Sequence, residues 1–86
     1  MLKNDVQVYG AERCHKTCFY LDLLKKENIK VDFFDVEKNQ DAAQDLRNLY
    51  ITGKLNFPTI LIKGKKLRNP SSKELEKWLK KKEIKS

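Results

Sequence analysis

Both cysteines and the single histidine fall in one six-residue run, Arg13-Cys14-His15-Lys16-Thr17-Cys18. Residues of these types at this spacing suit thiol–disulfide exchange, a clamp for a soft metal ion, or two small core side chains. A thiolate, not a thiol, attacks a disulfide, so a redox cysteine needs surroundings that lower its pKa. Arg13 and Lys16 place cationic charge beside Cys14 and are candidate substrate-binding residues. If a helix begins here, its unpaired backbone N–H groups add partial positive charge. His15 reads as an exposed residue of the first helical turn rather than a base. The polar neighbours of Cys14 argue against a buried packing role for it.

Cys18 lies four residues on, and Thr17 stands where a C-x-x-C motif would carry its second thiol. Side chains four apart on a helix have Cβ atoms about 5–6 Å apart, whereas a disulfide needs about 3.5–4.5 Å. An internal Cys14–Cys18 bond therefore requires the first turn to deform. Two readings of Cys18 stay open: a resolving or regulatory thiol, or a packing residue at the border of the apolar face. As metal ligands, two thiolates can hold Cu(I), while a structural zinc site normally asks for four ligands. No metal is assigned.

The elements around this run follow from periodicity. Val6 to Tyr9 alternates apolar with polar and stops at Gly10, a first strand. His15 to Glu27 is helical, with Phe19, Tyr20, Leu21, Leu23 and Leu24 as its buried face and Asn28 as its left-handed terminus. Val31 to Val36 is a second strand, β-branched and aromatic. Asn39 caps a second helix that buries Ala42, Ala43, Leu46, Leu49 and Tyr50 and ends at Gly53. Thr59 to Lys63 is an apolar strand after Pro58, and a turn at Lys63-Gly64-Lys65 leads into a fourth strand near Lys66 to Arg68. Ser71 with Glu74 opens a last helix through Leu75, Trp78, Leu79 and Ile84. The order β-α-β-α-β-β-α predicts an α/β fold of the thioredoxin-like type. A mixed four-stranded sheet is flanked by helices, its first two strands parallel, with Cys14 where the first strand hands over to a helix.

The chain has 86 residues, 40% of them hydrophobic, enough for a single domain over 1–86 with one modest core. It shows neither a leader-like apolar start nor a stretch long enough to span a bilayer, so a cytoplasmic, reducing setting is expected. There, paired thiols are more often catalytic or metal-binding than structural. The formal charge of +7, from 19 Lys and Arg against 12 Asp and Glu, raises the question of an anionic partner. The run Lys80-Lys81-Lys82-Glu83-Ile84-Lys85-Ser86 has no interleaved aromatic residue and reads as a solvated helix end. Nucleic acid is therefore not the expected partner, nor is a membrane.

The stretches from Val8 to Thr17, Phe57 to Thr59 and Gly64 to Leu75 resemble, in order and spacing, the glutaredoxins, especially small bacterial glutaredoxin-like and mycoredoxin-like proteins. The resemblance covers about residues 5 to 80. It implies that Cys14 is the nucleophile and that Pro58 is cis beside it. It also implies that the backbone of Phe57 meets the peptide-like part of a thiol substrate as an added strand would. Ser71 and Ser72 match the place where the last helix receives the γ-glutamyl carboxylate of glutathione, which its N–H groups suit physically; Lys16 approaches the other carboxylate. Three departures stand out. The usual Cys-Pro-Tyr-Cys is Cys14-His15-Lys16-Thr17, a monothiol motif with Cys18 as an extra. The usual Gly-Gly-x-Asp is Arg68-Asn69-Pro70-Ser71, which leaves another low-molecular-weight thiol as an alternative to glutathione. The Cys-Gly-Phe-Ser signature of iron–sulfur members is absent.

The expected function is reduction of mixed disulfides through Cys14, with no bound cofactor. Glutathione or another small thiol and disulfide-containing proteins are the partners. The alternatives are a dithiol electron donor to one dedicated protein, using Cys14 and Cys18, and a Cu(I) carrier.

Overall fold

A computed structural model of the chain describes residues 4–53 and 57–84. Four strands form one sheet in the order β2-β1-β3-β4. They are β1 (Val6–Gly10), β2 (Val31–Asp35), β3 (Thr59–Ile62) and β4 (Lys65–Arg68), and three helices intervene, α1 (His15–Lys26), α2 (Gln40–Asn48) and α3 (Ser72–Lys81). β1 runs parallel to β2, with Val6 opposite Val31 and Gly10 opposite Asp35. It runs antiparallel to β3, with Tyr9 opposite Thr59, and β3 pairs antiparallel with β4. The element order and mixed pairing are those of the thioredoxin-like fold.

Alternation along the strands divides the core in two. Val6, Val8, Ile60, Ile62 and Leu67 point to one face, where they meet Tyr20 and Leu24 of α1 and Leu75 and Leu79 of α3. Tyr9 and Leu61 point to the other, against Ala42, Ala43 and Leu46 of α2. Local signals hold the connections. Asn28 has a φ of 58° after α1, and the Asn39 side chain accepts from the backbone N–H groups of Asp41 and Ala42. Lys63 and Gly64 carry positive φ in the turn between β3 and β4, the conformation that suits a tight hairpin.

Some details differ from the expectation, among them α3, which ends at Lys81 before Ile84. Phe19 is 52% exposed. At about 100° per residue the buried stripe of α1 is Thr17, Tyr20 and Leu24, and Phe19 falls roughly 120° from its centre. Leu21 and Leu23 flank the stripe and pack against it partly buried. The second helix stops at Asn48 with Leu49 as its C-cap, so Gly53 (φ 68°) serves a later turn instead of the helix end. No described helix is long and apolar enough to cross a membrane.

Candidate active site

β1 ends at Gly10, and Ala11, Glu12 and Arg13 make the short passage to α1. The Cys14 N–H donates to the Ala11 carbonyl at 3.0 Å, which closes that passage into a tight turn, and the Cys14 carbonyl accepts from the Cys18 N–H at 3.0 Å. Cys14 is the N-cap of α1, with extended backbone (φ −83°, ψ 121°), and is half-buried. Its neutral sulfur forms no capping hydrogen bond; a thiol is a weak acceptor, and the nearby donors gain most from the anion.

Those donors hold the Cys14 pKa below the ordinary thiol value. The Thr17 backbone N–H contributes most, then the Thr17 hydroxyl, against the opposing effect of partial burial, with the Lys16 N–H and its ammonium charge adding to the lowering. Thr17 is fully buried, and its hydroxyl oxygen accepts from the Ala11 N–H at 3.3 Å. An acceptor site taken by Ala11 leaves the single hydroxyl proton to be given elsewhere, and Cys14 is the group it stabilises. Gly10 makes the arrangement possible. A Cβ on Gly10 would stand 2.3 Å from Thr17 Oγ1 and 2.6 Å from its Cγ2, closer than atoms approach.

Arg13 is placed otherwise than its position in sequence predicts. Its guanidinium forks onto the Glu37 carboxylate, with Nε 2.8 and 3.0 Å from the two oxygens. Glu37 dominates the electrostatics of this side chain, and the Cys14 charge contributes least. A second ion pair joins Lys38 to Glu12 at 2.6 Å. Between them the Asp35 carboxylate accepts from the N–H groups of Glu12 (3.3 Å), Glu37 (2.9 Å) and Lys38 (3.2 Å). These donors keep Asp35 below the usual carboxylate range although burial pushes the other way more strongly than any single one of them. The loop before α1 is thus laced to the loop after β2; Arg13 is held chiefly by Glu37, and Lys16 is a cation that lowers the Cys14 pKa.

Cys18 is exposed, so the packing role falls away. The same rotation that buries Thr17 and Tyr20 turns Cys18 outward. Its thiol donates to the Glu12 carbonyl, with sulfur and oxygen 3.2 Å apart. His15 is the first residue of α1 and is exposed.

The remaining candidates gather at the same end of the sheet, because β3 starts where β1 stops. The Phe57–Pro58 bond is cis. Pro58 is buried, Phe57 is half-buried against the α2-side core, and the Pro58 carbonyl accepts from the Asn69 N–H at 3.2 Å. Asn69 has a φ of 50°; asparagine tolerates this left-handed region better than most side chains, so it fills a role often left to glycine. Its side-chain oxygen accepts from the Tyr20 hydroxyl at 3.3 Å, and that hydroxyl also bonds the Pro70 carbonyl. The start of α3 is thereby tied to α1. Ser71 is the N-cap of α3 and accepts from the Glu74 N–H at 3.1 Å, while Ser72, the first residue of the helix, is exposed.

Four participants were not among the candidates read from sequence: Thr17, Gly10, Tyr20 and Asn69. A threonine three residues after an N-cap cysteine and a glycine closing the preceding strand are visible signals for the first two. The Tyr20 link spans about fifty residues and has no local trace.

The family model for Glutaredoxin matches residues 6–67. The chain belongs to the glutaredoxin family. The match includes Cys14, Cys18, Phe57 and Pro58 and ends before Ser71 and Ser72. Among solved structures, a mutant of the thioredoxin-like protein BC3987 superposes with a TM-score of 0.74 at 26% identity, covering 91% of this chain and 97% of its own. A glutaredoxin of Archaeoglobus fulgidus gives 0.71 at 18% identity, covering 86% and 84%. A buckwheat glutaredoxin–glutathione complex gives 0.71 at 18%, covering 96% and 83%. No curated protein matches the sequence. Glutaredoxins as a family are thiol–disulfide oxidoreductases.

Proposed function

We propose that residues 1–86 act as one glutaredoxin-type unit that reduces mixed disulfides of a small thiol, with Cys14 as nucleophile. The carrying observation is the position of Cys14: an N-cap thiol whose pKa is lowered by the Thr17 N–H and hydroxyl and by Lys16. In the first step the Cys14 thiolate attacks the glutathione sulfur of a protein–glutathione disulfide. A Cys14–glutathione disulfide forms, the protein–glutathione bond breaks, and the protein leaves as a thiolate that takes a proton from water. In the second step a free glutathione thiolate attacks the glutathione sulfur on Cys14, yielding glutathione disulfide and returning the Cys14 thiolate. In sum one free glutathione thiol is consumed, the protein–glutathione disulfide becomes a protein thiol, and its glutathione leaves in glutathione disulfide.

The rest of the site binds the small thiol. The α3 terminus with Ser71 and Ser72 takes the γ-glutamyl carboxylate, where helix N–H groups suit an anion; Lys16 faces the other carboxylate; the Phe57 backbone meets the peptide portion. A buckwheat relative of the same fold is described as a glutathione complex, which supports glutathione over another small thiol. Arg13 is a brace for the loop through Glu37 instead of a substrate ligand. Cys18, facing outward with its thiol on the Glu12 carbonyl, is not needed for either step. A cytoplasmic location supplies the reduced thiol that the second step consumes.

The test is the mass of the protein after exposure to glutathione disulfide, followed by turnover of a glutathionylated peptide. One added glutathione on Cys14 and catalytic release of the peptide thiol are expected. Formation of only an internal Cys14–Cys18 disulfide, with turnover that depends on it, would install the dithiol mechanism. No reaction at Cys14 would end the enzymatic reading.

A further inference from the structure

The net charge is confined to one part of the chain. Through Ile62, nine Lys and Arg balance nine Asp and Glu; beyond it, ten cations stand against three glutamates and hold the whole +7. The fold then concentrates this excess. Lys65 and Leu67 share the β4 face that turns toward α3, while Lys66 turns to the opposite face, where its ammonium donates to the Leu49 carbonyl at 2.8 Å and lies 4.3 Å from the Tyr50 ring centre. Toward α3, Lys65 lies 4.6 Å and Lys81 4.9 Å from the centre of the Trp78 ring, with Lys77 and Lys82 each at 6.0 Å.

Four ammonium groups around one indole repel one another, and each is held by the ring and by its apolar stem. None has an acid to neutralise it: among the described residues the ion pairs are Arg13–Glu37 and Lys38–Glu12, both on the loops near β2. Such a cluster raises the local potential and favours an anionic partner. The indole is already covered by lysine, which leaves it poorly placed to stack on a nucleic-acid base and favours carboxylates reaching the ammonium groups. The cluster is also connected to the redox end. The Ser71 cap of α3 follows the Asn69–Pro70 turn that Tyr20 of α1 holds, so a partner lying along α3 has one end near the helix that Cys14 caps.

We infer that the lysine cluster around Trp78 is a docking surface for an acidic segment of the protein whose disulfide Cys14 reduces. The inference rests on the redox reading above and names its substrate class. Reach is not limiting: ten extended residues span up to about 33 Å, more than the 30 Å longest extent of the fold.

The experiment uses two synthetic peptides, each with one glutathionylated cysteine followed, after a short neutral spacer, by a run of glutamates in one and glutamines in the other. At low ionic strength kcat/KM for the glutamate peptide is expected to exceed that for the glutamine peptide about tenfold, equivalent to about 1.4 kcal/mol, and the advantage is expected to vanish in molar salt. The Lys65→Gln/Lys81→Gln/Lys82→Gln variant should lose the advantage and keep wild-type turnover of the glutamine peptide. Absence of any advantage in the wild type, or its survival in the variant, overturns the inference. Trp78 is the only tryptophan, so its emission reports occupancy without turnover, using a serine version of the glutamate peptide. A saturable change abolished in the variant upholds the surface even if neither glutathionylated peptide is reduced, an outcome that would sink the redox reading alone. No change overturns the surface whatever the turnover. Tighter binding of a DNA duplex through the same lysines overturns the acidic-protein assignment in favour of nucleic acid.

Discussion

Replacing Thr17 by valine removes one oxygen from the site and little else. Valine keeps the shape, the backbone N–H that contributes most to the Cys14 thiolate, and the buried position. It loses the hydroxyl that accepts from the Ala11 N–H at 3.3 Å and stabilises the sulfur anion. A hydrogen bond to a charged group contributes about 1.5–3 kcal/mol, and the half-buried sulfur puts this one at the lower end, so the thiolate population should fall about tenfold at pH values where the thiol predominates. The remaining anion is more basic and more nucleophilic, and a Brønsted coefficient of about 0.4–0.5 returns roughly threefold of that. A net loss of about threefold in alkylation rate is therefore expected on the acid side of the profile, which is displaced upward: the wild-type rate persists to lower pH than that of the variant. The Ala11 N–H left without its acceptor should cost about 1–3 kcal/mol of stability. Alkylation by iodoacetamide as a function of pH, with urea unfolding alongside, measures both. Thr17→Ser should restore the profile, because the hydroxyl returns. An unchanged profile in a folded Thr17→Val protein would show that the hydroxyl does not act on Cys14.

Cys14→Ser should abolish turnover of a glutathionylated peptide, whereas Cys18→Ser should retain most of it; a folded Cys18→Ser protein as inactive as Cys14→Ser would refute the monothiol route. Gly10→Ala should lower stability by about 1–3 kcal/mol, the usual cost of overpacking, because the new methyl meets Thr17 Oγ1 at 2.3 Å; thermal unfolding reads it, and adding Thr17→Ala should recover part of the loss.

Much of this was legible in the chain because the signals are local. Strand alternation, the Asn39 and Ser71 caps, the Asn28 terminus and the Lys63-Gly64 turn each specify their neighbourhood within a few residues. Cys14 at a strand-to-helix passage follows from the same signals. What escaped depends on partners distant in sequence. Arg13 looks like a cation for the thiol until Glu37, 24 residues on, takes its guanidinium. The lysines near the end of the chain read as a solvated helix end, and nothing local shows that Lys65, brought by the hairpin, joins Lys81 and Lys82 at Trp78. Phe19 was misplaced for another reason: an apolar residue beside the true stripe satisfies a loose helical pattern, and only packing decides which edge of the pattern is buried.

The one-residue displacement of the second thiol has a consequence set by helix geometry. Each residue turns the helix by about 100°, so position 17 faces the β1 end, where Thr17 is fully buried, and position 18 faces solvent, where Cys18 is exposed. A thiol at 17 would sit where the hydroxyl now supports Cys14; a thiol at 18 does not reach that place unless the first turn opens. The doubly substituted Thr17→Cys/Cys18→Ser protein should therefore form an internal disulfide with Cys14 on oxidation, and do so more readily than the wild type forms Cys14–Cys18. Equilibration with glutathione redox buffers, read by mass, gives both constants. A wild-type internal disulfide at least as stable as that of the double variant would mean that the first turn opens at little cost, and that Cys18 is within the reach of Cys14 after all.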